Sequence, residues 1–167
     1  MILMTGGAGY IGAVTARELL DKGYAVRILD KFLYGDYPLD GVRNKVEVIQ
    51  GDVCDLNEDV LDGVNGVIHM AGLSNDPTAE FNPEANRKMN TVATGTLAEA
   101  CKRRGIKRFV FASSCSIYDR GLMAEDVLQD EESEVEPRAA YATSKHEAEK
   151  AILALAEYAS GHKELTS

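Results

Sequence analysis

The chain is poor in cysteine, in positive charge and in long apolar runs, and each shortage closes off a class of protein. Three cysteines, Cys54, Cys101 and Cys115, are spread over 167 residues without a Cys-x-x-Cys pair. An odd number at that spacing gives neither a disulfide framework nor a zinc site, so no metal is expected and a reduced, cytoplasmic setting is the simple reading. Only 18 Lys and Arg stand against 27 Asp and Glu, a formal net charge of -9. Such a surface repels phosphate backbones and anionic lipid, so neither nucleic acid nor a membrane is expected as a partner. No apolar run is long enough to span a bilayer. The start, Met1-Ile2-Leu3-Met4, lacks a basic stretch and a cleavage region, and reads as a short buried strand rather than a signal peptide.

Repeats and low-complexity tracts are absent too. The nearest approach is the acidic stretch 121–136, with Glu125, Asp126, Asp130, Glu131, Glu132, Glu134 and Glu136, which shows no fixed ligand spacing and reads as a solvated loop.

What is present is an alternation of strand-like and helix-like segments, the pattern of βαβ units on a parallel sheet. Strands are expected at 2–4, 25–30, 46–50, 66–70 and 108–113, the last an apolar run suited to burial on both faces. Helices are expected at 10–22, 83–104 and 139–160, stopped by Gly23, Gly105 and Gly161. Met89, Ala93, Leu97, Ala100 and Cys101 give the second helix its apolar face, and Ala148, Ile152, Leu155 and Ala159 do so for the third. The fold class is therefore α/β: a Rossmann-type doubly wound parallel sheet.

Between the first strand and the first helix lies Thr5-Gly6-Gly7-Ala8-Gly9-Tyr10-Ile11-Gly12. Gly6 suits a tight turn, Gly9 the approach of a pyrophosphate to the backbone, and Gly12 close packing of helix on strand. The first N–H groups of the helix, at Tyr10 and Ile11, would then face the phosphates. Asp30 ends the second strand, 18 residues after Gly12. A carboxylate there accepts from both adenosine ribose hydroxyls and repels a 2′-phosphate, which favours NAD over NADP; Lys31 beside it weakens that preference.

Together these segments resemble the extended short-chain dehydrogenases/reductases, in particular the nucleotide-sugar epimerases of the NAD-dependent epimerase/dehydratase family. Thr5 to Gly12 is similar to the TGGxGxxG loop, and Gly51-Asp52-Val53 to the segment whose Asp meets the adenine. His69-Met70-Ala71-Gly72 looks like the cofactor-lining HxAG stretch. Asn90-Thr91 resembles the helix Asn, Ser113-Ser114-Cys115-Ser116-Ile117-Tyr118 the SSxSVYG segment, and Tyr141-Ala142-Thr143-Ser144-Lys145 the YxxSK signature. The resemblance covers about residues 1–160, with the segments in family order.

It implies Ser114, Tyr141 and Lys145 as catalytic residues. Gly6, Gly9, Tyr10, Ile11, Gly12, Asp30, Asp52, Val53, Met70, Ala71, Gly72, Asn90 and Ser113, with Tyr141 and Lys145, are implied to hold NAD. His69 is implied in the structure of the cofactor site and not in direct chemistry. Tyr141 and Lys145, four residues apart, share a helix face, so the ammonium is expected to lower the phenol's pKa and to hold the nicotinamide ribose. Ser114 is expected to donate to a substrate oxygen while Tyr141 takes the hydroxyl proton.

The family's 4,6-dehydratases carry an Asp-Glu pair where this chain has Cys115 and Ser116, which turns the expectation away from dehydration. Asp119 stands where the family has Gly. The chain stops after the fifth strand and the active-site helix, so the C-terminal substrate-binding part is expected to be absent and 1–167 to form one NAD-binding domain. The implied activity is NAD-dependent epimerisation of a nucleotide sugar, in a homodimer built on helices 83–104 and 139–160. Two alternatives stay open: a sugar dehydrogenase or reductase of the same family, and a non-catalytic NAD-binding fragment.

Overall fold

The structure, a computed structural model, describes residues 1–118 and 128–160, with side chains in the last helix described as far as Ala156. Asp119, the first part of the acidic stretch and Gly161 lie outside the described residues.

Five parallel strands lie in the order β3-β2-β1-β4-β5. They are β1 (Ile2–Thr5), β2 (Val26–Asp30), β3 (Glu47–Gln50), β4 (Gly66–His69) and β5 (Phe109–Phe111). The register runs Thr5 beside Leu29 on one side and His69 on the other, so the strand ends form one rim. The order reverses at β1, and the crevice between β1 and β4 is the place where such sheets bind ligands.

Successive residues of a strand face opposite ways, and the core divides accordingly. Leu3, Leu29 and Val67 pack with Ala93, Leu97 and Cys101 on one face. Met4, Ile28 and Val26 pack with Ala13, Ala16 and Leu39 on the other. Helix α1 (Tyr10–Asp21) covers the second face and ends, as expected, with Gly23 in the left-handed region at φ 80°.

Three features depart from the expectations. Helix 83–104 runs on as expected but is not α-helical throughout: a π-turn (Lys88–Val92) lies between α3 (Pro83–Arg87) and α4 (Ala93–Arg103). A short helix not foreseen in the sequence, α2 (Asp76–Phe81), precedes them. Its start carries an Asn75 side chain that accepts from Thr78 N at 2.8 Å, with Pro77 in the first turn. β5 is shorter than expected and is not buried on both faces: it lies at the rim of the described sheet, and Val110 is 59% exposed. The last helix, α5 (Ala140–Ser160), buries Ala142, Ser144, Lys145 and Ala148. No helix among the described residues is long and apolar enough to cross a membrane.

Candidate cofactor cleft and active site

The glycine loop is shaped by the protein's own packing at two points. Gly6 has φ 72°, and a Cβ there would lie 2.6 Å from Ala71 N. A Cβ on Gly12 would lie 2.3 Å from Gly6 O, inside contact distance, so helix and loop touch through bare backbone. Gly9 is different. It begins α1 with no side-chain cap, and a Cβ there would meet only Gly6 O, at 3.3 Å. Tyr10 and Ile11 beside it are exposed. The α1 start therefore opens outward with its N–H dipoles, which suits a pyrophosphate.

Asp30 lies at the foot of this loop. Its Oδ2 accepts from Ala8 N at 2.9 Å and its Oδ1 from Phe32 N at 2.8 Å. The second bond accompanies φ 56° at Phe32, the one non-glycine residue with positive φ among those described. Each carboxylate oxygen keeps a lone pair for a ribose hydroxyl. Asp52 is paired with Lys31, Nζ to Oδ2 at 2.6 Å, and accepts from Cys54 N at 2.9 Å. The Lys31 bond, with the Cys54 N–H, holds its carboxyl below the ordinary range. Val53 behind it is buried.

A directed hydrogen-bond chain crosses the crevice behind the loop. Thr94 Oγ donates to Asn90 O at 2.6 Å, so it accepts from His69 Nε2 at 2.7 Å. His69 Nδ1 is then the acceptor for Thr5 O–H, at 2.5 Å. The ring is wholly buried, and burial, reinforced by the Lys145 charge, takes its pKa down to about 3. A permanently neutral imidazole is a strut between β1, β4 and α4 and no proton carrier at neutral pH.

Asn90 is the second strut. Its Oδ1 accepts from Leu73 N at 2.8 Å, and its Nδ2 reaches Leu73 O at 3.0 Å, Asn86 Oδ1 at 2.8 Å and Ser144 Oγ at 3.1 Å. A Cβ on Gly72 would lie 2.6 Å from Asn90 Oδ1, so the strand-end glycine makes room for the amide. The π-turn holds Asn90 inward, and one side chain thereby ties the Met70–Ala71–Gly72 rim to α5. Asn86 and Glu80 fasten the start of α5: Asn86 Nδ2 donates to Ala140 O at 3.1 Å, and Ala140 N donates to Glu80 Oε1 at 3.0 Å.

Of the expected catalytic trio, two residues meet. Ser114 lies near enough to the Tyr141 phenol to favour the phenolate. Burial outweighs it and leaves the Tyr141 pKa raised, with smaller upward pushes from Asp76 and Cys115. Lys145 is not brought to the phenol as expected. Its Nζ donates to Ala112 O at 2.7 Å and lies 4.4 Å over the Phe111 ring. The long side chain runs along the end of β5 and binds the rim instead of its helix neighbour. Burial brings its pKa down to about 8. Ser113 Oγ is buried without a partner among the described residues. The three cysteines are free thiols, and no cluster that could hold a metal occurs among the described residues.

Sequence reasoning missed Asn86, Thr94, Ser144 and Asp76. Asn86 and Thr94 are ordinary helix residues until the fold joins them, and Ser144, although part of the YxxSK signature, was given no role. Asp76 could have been found through the Asn75 and Pro77 helix-start signature.

Residues 2–162 match the family described as "NAD dependent epimerase/dehydratase family". The chain belongs to that family. It is 34% identical over 158 residues to UDP-glucose 4-epimerase from Corynebacterium glutamicum, covering 93% of this chain and 46% of that protein. It is also 34% identical over 157 residues to dTDP-glucose 4,6-dehydratase from Streptomyces niveus, covering 86% and 46%. A solved structure, MoeE5 in complex with UDP-glucose and NAD, superposes with a TM-score of 0.80 at 30% identity, covering 92% of this chain and 48% of that one. The chain thus spans about half the length of the relatives it matches. The family is NAD-dependent and its members are enzymes, which agrees with the open α1 start and the Asp30 carboxylate.

Proposed function

We propose that this chain is the cofactor-binding half of a nucleotide-sugar 4-epimerase-like enzyme. The observation that carries the reading is the Ser114–Tyr141 hydroxyl pair at the crevice, followed by Cys115 and Ser116 with no carboxyl group in the turn. Two hydroxyls suffice to move a proton off and back onto a sugar hydroxyl. Neither a thiol nor a serine is suited to protonate a leaving hydroxyl, which disfavours dehydration although a dehydratase is among the relatives.

NAD, when bound, supplies reversible hydride acceptance from a ring carbon. The N–H groups at Tyr10 and Ile11, reached past the bare Gly9, would hold its pyrophosphate, Asp30 its adenosine ribose, and Asp52 and Val53 its adenine. Met70, Ala71, Gly72, Asn90 and Ser113 would line the nicotinamide side. Lys145 would exchange Ala112 O for the nicotinamide ribose, and its ammonium would then be free to favour the Tyr141 phenolate. Ser114 holds the substrate oxygen, and Tyr141 removes the hydroxyl proton and restores it, so the cycle is redox-neutral. The assembly would be a homodimer in which Val92 at the end of the π-turn and Leu153 on α5, 47% and 59% exposed, are covered by a second copy.

The test is a chimera of residues 1–160 with the substrate half of the Corynebacterium glutamicum relative. It is incubated with NAD and UDP-, dTDP-, CDP- and GDP-sugars. Epimer formation without net NADH, lost in Tyr141→Phe, is expected. Net NADH would favour a dehydrogenase, and a 4-keto-6-deoxy product a dehydratase.

A further inference from the structure

Ser114 is itself held from behind. Its Oγ receives the backbone N–H of Ser116 at 3.2 Å and lies 2.8 Å from Ser116 Oγ. Both contacts come from one 3₁₀ turn, Cys115–Tyr118, which is closed by Ile117 N donating to Ser114 O at 3.3 Å. Ile117 is buried, which anchors the backbone of the turn and with it the Ser116 N–H.

A serine hydroxyl has one proton and two lone pairs. The Ser116 N–H takes one lone pair of Ser114. Two arrangements remain. In one, the Ser116 O–H takes the other lone pair, and the only proton of Ser114 points to Tyr141 or to a substrate oxygen. In the other, Ser114 spends its proton on Ser116, and Tyr141 must donate to Ser114. A phenolate or a substrate carbonyl oxygen can only accept, so the first arrangement serves the proposed proton transfer and the second does not.

We propose that Ser116 is a positioning residue whose hydroxyl donates to Ser114 Oγ and so aims the Ser114 proton at Tyr141 and the substrate oxygen. The proposal rests on the reading of Ser114 and Tyr141 as the substrate-facing pair. The chain Ser116–Ser114–Tyr141 is a run of donors in one direction, each strengthened by the one behind it. The other groups acting on Tyr141 are Asp76 from α2 and Cys115 from the same turn, while Lys145 on α5 is engaged with Ala112 O. None of them is altered by changing Ser116.

The experiment incorporates ring-fluorinated tyrosine into the chain, which makes the phenols more acidic, and follows their titration by fluorine NMR. Tyr141→Phe identifies the Tyr141 resonance. Ser116→Ala is expected to raise the Tyr141 midpoint by about half a pH unit, and Ser116→Thr, which keeps the hydroxyl, to leave it at the wild-type value. An unmoved midpoint in Ser116→Ala overturns the proposal. A lowered midpoint also overturns it, because it would mean that Ser114 had been donating to Ser116. If circular dichroism shows the alanine variant unfolded, Ser116→Cys replaces it, and a raised midpoint is again required from the weaker donor. The titration uses neither cofactor nor sugar. A chimera inactive on sugars would sink the epimerase reading and leave the hydroxyl chain standing, and an unmoved titration would do the reverse.

Discussion

Lys145 carries an ammonium into a buried place, and the consequence is a signed dependence on pH. Its pKa is about 8 in the folded chain against 10.5 in the unfolded one. Between those values the unfolded state binds more protons, so stability from this residue rises with pH through that window, and the cost of the buried charge is fully present below pH 8. Thermal unfolding of wild type and Lys145→Met at neutral pH and near pH 10 should show the stability of wild type gaining on the variant as pH rises. A constant gap would show that the ammonium is not desolvated. Asp76 gives a second expectation at this scale. Its charge disfavours the Tyr141 phenolate from α2, so Asp76→Asn should lower the Tyr141 midpoint in the fluorine titration, and a midpoint that stays put would remove Asp76 from the site.

At the scale of elements, the loop between β1 and α1 was legible because glycine is a chemical demand there. A Cβ on Gly12 would meet backbone at 2.3 Å, whereas one on Gly9 would press only on Gly6 O, at 3.3 Å. Gly12→Ala should therefore destabilise the chain by about 1–3 kcal/mol and weaken NAD binding. Gly9→Ala should weaken NAD binding with a smaller loss of stability than Gly12→Ala. Paired calorimetric titration and unfolding would check both, and equal loss of stability in the two variants would contradict the difference in packing. The π-turn inside helix 83–104 was not legible. Apolar spacing places Met89, Ala93 and Leu97 on one face, but the π-turn exists because Asn90 must reach Leu73 and Ser144, partners 17 and 54 residues away. Helix α2 was legible in principle through Asn75 and Pro77, yet at six residues it shows no apolar period.

At the scale of the whole molecule, the apolar residues left uncovered matter most. Val92 and Leu153 lie on the α4 and α5 layer, and Gly95 on α4 has nothing within 4 Å of a Cβ. If a second copy covers that layer, Leu153→Glu should turn a sedimenting dimer into a monomer while far-ultraviolet circular dichroism is unchanged. Wild type that sediments only as monomer at high concentration would count against the homodimer. The same scale corrects the expectation for β5. A run of Phe and Val reads as doubly buried, but burial depends on what lies across the strand, and among the described residues nothing covers Val110.

The alternation of strands and helices, the glycine loop and Asp30 were legible from residue types at short spacing, since backbone turns and helix periods are local, whereas Ser114, Tyr141 and Lys145 were singled out as a set only by the family resemblance. Tertiary structure alone decided where the polar groups point. Tyr141 and Lys145 share a helix face by spacing, yet burial against Phe111 and the carbonyl of Ala112 takes the ammonium elsewhere. His69 is a single strand-end histidine in the sequence, and only the meeting of β1, β4 and α4 encloses it between Thr5 and Thr94 and removes its charge. Spacing sets which side chains share an element, and the dielectric and the partners across the crevice set their protonation and direction.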